Sequence, residues 1–388
     1  AHIKLESYGF AITDATRAIE LDPSYVKAYY RRAIANAAIL SYKEALKDFK
    51  TVVRKAPHDK DAKLKLGECE KIVRRAEFLK AIEVGDAPSA AEGLDLDAIV
   101  IDDSYDGVRL ENDMTQEFID DMIKRFKNGK TIHRKYVYQI VIAVKDLVVK
   151  EPTMVEVEVK EGEEGGHKLT VCGDTHGQFF DLLEIFRLNG FPSDTHSYLF
   201  NGDFVDRGSW STEVAILLYA YKWLRPNAFF INRGNHETDD MNRVYGFEGE
   251  CKAKYNERIF KLFSESFSAL PLATLIGGKF LTLHGGLFSD DNVTLDDIRK
   301  LNRHNQRQPG HAGLMMEMLW TDPQTAPGRG PSKRGVGMQF GPDVTKRFCE
   351  ENGLEAIIRS HEVRMEGYEV EHDGRCITGG QTLFFFFF

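Results

Sequence analysis

The chain has 388 residues, of which 42% are hydrophobic, and its formal net charge is −9 at pH 7. This length predicts more than one domain, and the acidic balance argues against general binding to nucleic acid. The five widely spaced cysteines contain no Cys-x-x-Cys pair, which argues against a disulfide framework. Without a signal peptide or an apolar run of about 18 residues, we expect a cytoplasmic or nuclear protein with no membrane span.

Residues 1 to 84 have helical periodicity and an internal repeat of 34 residues, since Ser7–Ala11 aligns with Ser41–Ala45. That period is typical of tetratricopeptide helix pairs, although Arg32 and Asn36 stand where the tetratricopeptide pattern prefers apolar side chains. Only residues 26–59 form a complete repeat. Because such arrays need about three repeats to bury their faces, we expect a truncated N-terminus.

The repeats contain a candidate peptide-binding pair, Lys27 and Arg31. These residues are four positions apart and therefore share one helix face, beside Tyr30. Basic residues at matching places in chaperone-binding tetratricopeptide domains grip the C-terminal acidic peptide of heat-shock protein 90. The resemblance implies the same partner here, although the other residues of that clamp would lie before Ala1. An ordinary solvated basic face is the alternative.

The composition changes after residue 84. Residues 85–113 are rich in Asp, Gly, Ala and Ser and predict an acidic linker, in which Ile99–Ile101 could pair as a short strand. Apolar residues then recur at helical spacing from Ile119 to Phe126, and Tyr136–Val149 predicts a second helix. We expect these two helices to open a second domain, residues 114–378, and to pack on its sheet.

Five short apolar runs in this domain, each predicted as a strand, are followed by polar side chains that can bind metal ions. The first run, Leu169–Cys172, precedes Asp174 and His176. Run 198–200 precedes Asp203, Asp206 and Arg207, and run 228–231 precedes Asn235 and His236. Run 280–283 precedes His284, and run 356–358 precedes His361. One such pattern is common by chance, but five in order predict a single site.

Asp, His and Asn together are the donor set of manganese, iron or zinc rather than calcium. The spacing predicts two ions, with the Asp203 carboxylate between them to reduce their repulsion. Asp174 and His176 would complete the first ion's ligands, and Asn235, His284 and His361 those of the second. A water shared by two such ions would lose a proton near neutral pH and act as a nucleophile.

The remaining polar residues predict hydrolysis of a phosphate ester. His236 could protonate the departing alkoxide while Asp206 holds its other ring nitrogen, an arrangement that accelerates such a step by roughly 10² to 10⁴. Arg207 and Arg334 could hold the phosphoryl oxygens. Two guanidinium groups favour a dianionic monoester over a diester, so a dimetal phosphodiesterase is the less favoured alternative.

These blocks resemble the signature sequences of the dimetal serine/threonine phosphoprotein phosphatases, most of all the members that carry tetratricopeptide repeats. Lys333–Val336 and Gln339–Asp343 fit the same resemblance, which extends from Ala1 to about Thr378. It implies an all-α repeat array followed by an α+β metallophosphatase domain, a two-sheet β-sandwich flanked by helices. It also implies phosphoprotein substrates and hydrolysis of phosphoserine and phosphothreonine without a phosphoenzyme.

The C-terminus departs from the family pattern. The family continues into a Ser-Ala-Pro-Asn-Tyr segment, whereas residues 379–388 here end in five phenylalanines. We therefore expect an aberrant tail on a phosphatase domain that is incomplete at its C-terminus. A catalytically impaired fragment that acts only as a tetratricopeptide binding module is the alternative from a different functional class.

Overall fold

A computed structural model describes residues 1–82, 88–158, 167–310 and 312–380 of the chain, and only the backbone of 75–82. The fold divides into two compact units. The first is Ala1–Pro88 with Gly330–Gln339, and the second is Ser89–Arg329 with the chain from Phe340 onward. The predicted boundary at residue 84 and the phenylalanine run lie outside the described residues. In the described ranges, no helix combines the length and apolarity needed to cross a bilayer.

The described residues of the first unit before residue 83 are mostly helical, as predicted. The α-helices are α1 (Tyr8–Leu21), α2 (Val26–Ala38), α3 (Tyr42–Lys55) and α4 (Lys60–Ile82). Ser7 and Ser41 stand at the N-cap positions of α1 and α3, so the sequence repeat coincides with the helix starts. Small residues such as Ala33 and Ala45 let the helices approach closely around the buried ring of Phe49.

Arg32, which departs from the apolar repeat pattern, is held by an ion pair inside the helical array. Its guanidinium donates to both oxygens of Asp48, at 2.7 and 2.9 Å, and to the Thr16 hydroxyl at 3.1 Å. Asp48 is 5% exposed. A bidentate pair of this kind satisfies the hydrogen-bonding groups of both side chains, which would otherwise be costly to bury. At this position an ion pair therefore takes the place of the apolar contact that the repeat pattern prefers.

The acidic segment after residue 88 has no regular secondary structure, and the predicted strand at Ile99–Ile101 is wrong. The segment forms short turns instead, for example through the hydrogen bond from the Ile99 N–H to the Leu96 carbonyl. These turns leave no extended stretch of backbone that could pair with another strand. The segment nevertheless packs on the apolar core of the second unit, to which it belongs, through half-buried side chains that include Leu96 and Ile101. At its start, the Glu265 carboxylate accepts the Ser89 hydroxyl and the Ala90 N–H, each at 2.6 Å.

The second unit contains the two predicted opening helices, α5 (Gln116–Lys127) and α6 (Arg134–Val148). The later helices are α7 (Phe179–Asn189), α8 (Ser211–Leu224), α9 (Asp239–Tyr245), α10 (Phe247–Lys254), α11 (Glu257–Ala269), α12 (Leu295–Lys300), α13 (Leu314–Trp320) and α14 (Pro342–Asn352). Residues of α5, α6, α7, α8, α10 and α11 share one large apolar core.

All five runs predicted as strands are strands in the structure. The full set is β1 (Met154–Val157), β2 (Lys168–Cys172), β3 (His196–Asn201), β4 (Phe229–Asn232), β5 (Ala273–Ile276), β6 (Phe280–Leu283), β7 (Asp322–Pro323), β8 (Arg329–Pro331), β9 (Met338–Phe340), β10 (Ala356–Arg359), β11 (Tyr368–Glu371) and β12 (Cys376–Gly379). They form sheets of order β1-β5-β6-β10-β12-β11, β2-β3-β4 and β7-β9-β8.

The first two sheets pack face to face. Alternating residues of β2 and β3, such as Val171 and Leu199, meet Ile358 of the six-stranded sheet in a shared apolar layer. The other face of the same strands presents Tyr198 and Phe200 to the helices. The predicted sandwich flanked by helices is therefore confirmed. Because β2, β3 and β4 run parallel, and β6 runs parallel to β10, the loops that follow the strands in each group leave from one edge.

Candidate metal centre

The loops beyond these strand ends have unusual backbone geometry. Five residues that are not glycine have positive φ there, namely His176 (38°), Asp203 (49°), Asp206 (69°), Arg207 (65°) and His361 (70°). This region is costly for residues with a side chain and tends to be retained at functional sites. Every one of these residues was singled out from the sequence as a candidate for the site.

Two glycines let the loops after β3 and β4 approach each other. Gly202 has φ 85°, and a Cβ atom there would lie 2.5 Å from the Gly234 Cα and 2.9 Å from His284 Nδ1. A Cβ atom on Gly234 would overlap the Asp203 carboxylate. The close packing that brings Asp203 against the next loop therefore depends on the missing side chains.

The first cluster of donor atoms contains Asp174, His176 and Asp203. His176 Nε2 lies 3.9 Å from Asp174 Oδ2 and 3.8 Å from Asp203 Oδ2. Its Nδ1 donates to the Val205 carbonyl at 2.9 Å, which leaves a lone pair on Nε2 for a ligand. Burial, reinforced by the neighbouring His236, lowers the pKa of His176 to about 3, so the ring is neutral as a metal ligand must be.

The second cluster converges on His284. Its Nε2 lies 3.2 Å from Asp203 Oδ2, 2.9 Å from Asn235 Oδ1 and 3.2 Å from His361 Nδ1. Its Nδ1 donates to the Asn201 carbonyl at 2.8 Å. Burial alone would lower the pKa of His284, yet the Asp203 carboxylate raises it to about 9. The electrostatics of this pocket thus favour a positive charge at the point where the donor atoms meet.

The donor set fits two divalent cations. Asp203 Oδ2 faces both clusters, and metal-compatible groups in the described ranges are His176–Asp203–His236 and Asp203–His284–His361. Burial and the Asp203 charge raise the pKa of Asp174 to about 6, which shows how unfavourable two neighbouring buried carboxylates are without a counter-charge. Carboxylate, imidazole and amide donors suit manganese, iron and zinc alike.

Beside the first cluster lies a buried His–Asp pair. His236 Nδ1 donates to Asp206 Oδ2 at 2.8 Å, and His236 Nε2 lies 4.0 Å from Asp203 Oδ2. Asp206 Oδ2 also accepts the Asn242 side chain at 3.1 Å, while Oδ1 accepts the Phe247 N–H at 2.9 Å. The unused ring nitrogen of His236 therefore faces the donor clusters, with its tautomer set by the carboxylate behind it.

Arg207 is exposed at the edge of this pair. Its backbone N–H donates to the Tyr245 carbonyl at 3.1 Å, and its guanidinium lies 5.0 Å from the centre of the Tyr245 ring. The same ring is 5.0 Å from that of His236. Arg334 falls in the 330–339 segment, which groups with the first unit, so its place beside Arg207 stays a prediction. In that first unit, Lys27 and Arg31 are exposed on α2.

Sequence reasoning missed several residues that support the site. Asn201, whose carbonyl accepts His284 Nδ1, ends the apolar strand β3, so a polar residue in a buried run was the available signal. Asn242 and Tyr245 lie in the short helix α9 and give no pattern of their own. Glu237 accepts the backbone N–H groups of Asp203, Phe204 and Gly234 at 2.7 to 3.0 Å.

Two family profiles match the chain. The profile of the calcineurin-like phosphoesterases matches residues 167–365, which include every predicted metal ligand. The profile described as the PPP5 TPR repeat region matches residues 66–156.

Individual relatives agree with both profiles. The chain is 80% identical to serine/threonine-protein phosphatase T of Aspergillus oryzae, over 97% of this chain and 78% of the relative. It is 55% identical to human serine/threonine-protein phosphatase 5, over 97% of this chain and 75% of the human protein. A solved Saccharomyces cerevisiae serine/threonine phosphatase with similarity to human phosphatase PP5 superimposes with a TM-score of 0.66 and 52% identity, covering 69% of this chain and 83% of the yeast one. The chain therefore belongs to the calcineurin-like phosphoesterases and, among them, to the serine/threonine protein phosphatases of types 5 and T.

Proposed function

We propose that this phosphatase holds its divalent ions with the side chains that meet at the strand ends. The two sets share Asp203 and consist of Asp174, His176 and Asp203 on one side and Asp203, Asn235, His284 and His361 on the other. The observation that supports the sharing is that Asp203 Oδ2 lies within 4 Å of both His176 Nε2 and His284 Nε2. Manganese, iron or zinc would suit these donors. When bound, such ions polarise the phosphoryl group and lower the pKa of water.

His236 is the proposed general acid. A serine or threonine alkoxide is a poor leaving group at neutral pH, and a protonated imidazole beside it supplies the missing proton. His236 Nε2 faces the donor clusters, and the 2.8 Å bond from Nδ1 to Asp206 fixes the ring in that direction. This buried pair, directly beside the metal-compatible side chains, is the observation that carries the proposed mechanism.

Arg207 and Arg334 are proposed to bind the phosphoryl oxygens. Arg207 is exposed next to the His236–Asp206 pair and its guanidinium is supported by the Tyr245 ring, which suits binding of an incoming anion. Two guanidinium groups favour a dianionic monoester, the charge state of phosphoserine and phosphothreonine near neutral pH. A diester substrate would need only one.

The test compares the wild-type chain with His236→Ala on a phosphoserine peptide, with metal content measured for both proteins. We expect a loss of roughly 10² to 10⁴ in kcat while metal content is retained. Hydrolysis of p-nitrophenyl phosphate against its bis-ester separates the phosphatase from the phosphodiesterase alternative. A folded, metal-loaded wild-type chain without activity would favour the binding-module alternative instead.

The repeats offer a second proposed role, capture of an acidic C-terminal peptide such as that of heat-shock protein 90. Lys27 and Arg31 are exposed on one face of α2, one turn apart, which supports this proposal. Calorimetric titration with the peptide should show binding that Lys27→Ala with Arg31→Ala abolishes. Neutralising Lys43 and Lys47 on α3 is the matched control and should leave binding intact. We propose a cytoplasmic and nuclear location, which fluorescence microscopy of the tagged chain can test.

A further inference from the structure

Asn242 of α9 contacts both members of the His236–Asp206 pair. Its side chain is fully buried, and Nδ2 donates to Asp206 Oδ2 at 3.1 Å and to the His236 backbone carbonyl at 2.7 Å. We propose that Asn242 is a positioning residue that fixes the direction of the His236 ring during proton donation. This inference rests on the acid role proposed for His236.

The hydrogen bonds around Asp206 show why an amide is needed at this position. Oδ1 accepts the Phe247 N–H, and Oδ2 accepts both His236 Nδ1 and Asn242 Nδ2. Without Asn242 the carboxylate keeps one donor on each oxygen and can turn about its Cβ–Cγ bond. The imidazole follows that rotation because Nδ1 is bonded to Oδ2, so Nε2 no longer points steadily at the leaving group.

The amide of Asn242 is only half satisfied. In the described part of the chain its Nδ2 has two acceptors, whereas the buried Oδ1 has no hydrogen-bond partner. A buried carbonyl without a donor costs free energy that an apolar residue of similar volume would avoid. Stability alone would therefore favour an apolar residue at position 242. The two hydrogen bonds that Asn242 donates give a reason for the amide.

The helix that carries Asn242 is itself held in place. The Thr238 hydroxyl before α9 donates to the Asn235 carbonyl at 2.7 Å, which ties the helix start to the metal-ligand loop. The Asp239 carboxylate in the first turn accepts the hydroxyl of Ser264 on α11. These two hydrogen bonds hold the start of α9 in place, so Asn242 contacts the His236–Asp206 pair from a rigid element, as accurate positioning requires.

The role of Asn242 can be tested by comparing two substrates that differ in their leaving group. A serine alkoxide needs protonation as it departs, whereas p-nitrophenolate is stable enough to leave without it. We expect Asn242→Leu, which keeps the volume and removes both donors, to lower kcat on a phosphoserine peptide by about 10-fold to 100-fold, part of the 10² to 10⁴ that general acid catalysis supplies. On p-nitrophenyl phosphate the loss should stay within about threefold.

Further measurements separate a loss of positioning from a general loss of structure. In Asn242→Leu, the metal content and the inhibition constant of inorganic phosphate should match those of the wild type. Asn256→Ala is the control, because it removes a helix cap on α11, where the side chain accepts the Ile259 N–H at 3.0 Å, without touching the pair. It should lower the melting temperature and leave the ratio of the two activities unchanged. If Asn242→Leu fails to fold, Asn242→Ala carries the same expectation.

The double variant decides whether Asn242 acts through His236. Adding Asn242→Leu to His236→Ala should cause no further loss, since residues that act as one unit are not additive. Equal losses on both substrates for the Asn242 variants, or additive losses in the double variant, would overturn the inference. If His236→Ala itself showed no dependence on the leaving group, the proposed acid role would fail first, and the two failures are therefore distinguishable.

Discussion

Replacing Gly234 by alanine should disturb the candidate metal centre through a single methyl group. The new Cβ would lie 2.8 Å from Glu237 Oε2 and closer still to the Asp203 carboxylate, whereas ordinary contact begins at 3.4 Å. The Glu237 oxygen must therefore move by at least about 0.6 Å, and Asp203 by more. Overpacking of this kind costs about 1 to 3 kcal/mol in the free energy of unfolding. Displaced ligand supports typically weaken metal affinity by about 10-fold to 100-fold.

The assay measures metal affinity by competition with a chelator and stability by denaturant unfolding, on Gly234→Ala and on a matched control. Gly249 lies within α10, and a Cβ atom there meets nothing within 4 Å. Gly249→Ala should therefore leave metal affinity unchanged and stabilise the helix by about 0.5 to 1 kcal/mol. Wild-type metal affinity in Gly234→Ala would refute the view that close loop packing sets the position of Asp203.

Three further predictions concern the ion pair in the repeats, the arginine support and the metal ions. Arg32→Ala leaves Asp48 buried without its bidentate partner and should lower the free energy of unfolding by about 2 kcal/mol or more in denaturant titrations. Tyr245→Leu removes the ring beneath the Arg207 guanidinium and should raise the inhibition constant of inorganic phosphate several-fold, by about 1 kcal/mol of binding free energy. A chelator should lower the melting temperature, because the buried Asp203 loses its counter-charges.

Each of these has a control. Arg17→Ala breaks an exposed pair with Glu20 and should change stability by less than about 0.5 kcal/mol. Tyr245→Phe keeps the ring over the guanidinium and should retain phosphate affinity near that of the wild type. In the chelator experiment, restoring manganese should restore the melting temperature. An unchanged melting temperature after verified metal removal would contradict the expected link between ions and stability.

Most of the candidate site could be proposed from the sequence, because its polar side chains lie in short segments directly after apolar runs. Asp174 and His176 follow an apolar run within a few positions, and the same local pattern recurs at each of the five strands. The prediction at Ile99–Ile101 failed for the opposite reason. Pairing of a strand depends on a distant partner edge, and β propensity in three residues carries no information about whether that edge exists.

Support for the site was harder to predict, because it depends on contacts between distant residues. Asn242 is 36 positions from Asp206, and no periodicity connects them. Arg32 and Asp48 are 16 positions apart on different helices, so their pairing depends on how α2 and α3 pack. The return of residues 330–339 to the first unit is likewise a property of the tertiary fold, which a linear domain boundary cannot express.

The left-handed backbone at the site limits how this enzyme can evolve. His176, Asp203, Asp206, Arg207 and His361 must satisfy a φ angle as well as a chemical role. Asparagine, aspartate, histidine and glycine tolerate such angles best, whereas β-branched residues do so poorly. Selection for a new activity therefore has few single substitutions available at these positions. Variation should accumulate instead at exposed residues around the site that have negative φ angles, where a substitution meets no such conformational penalty.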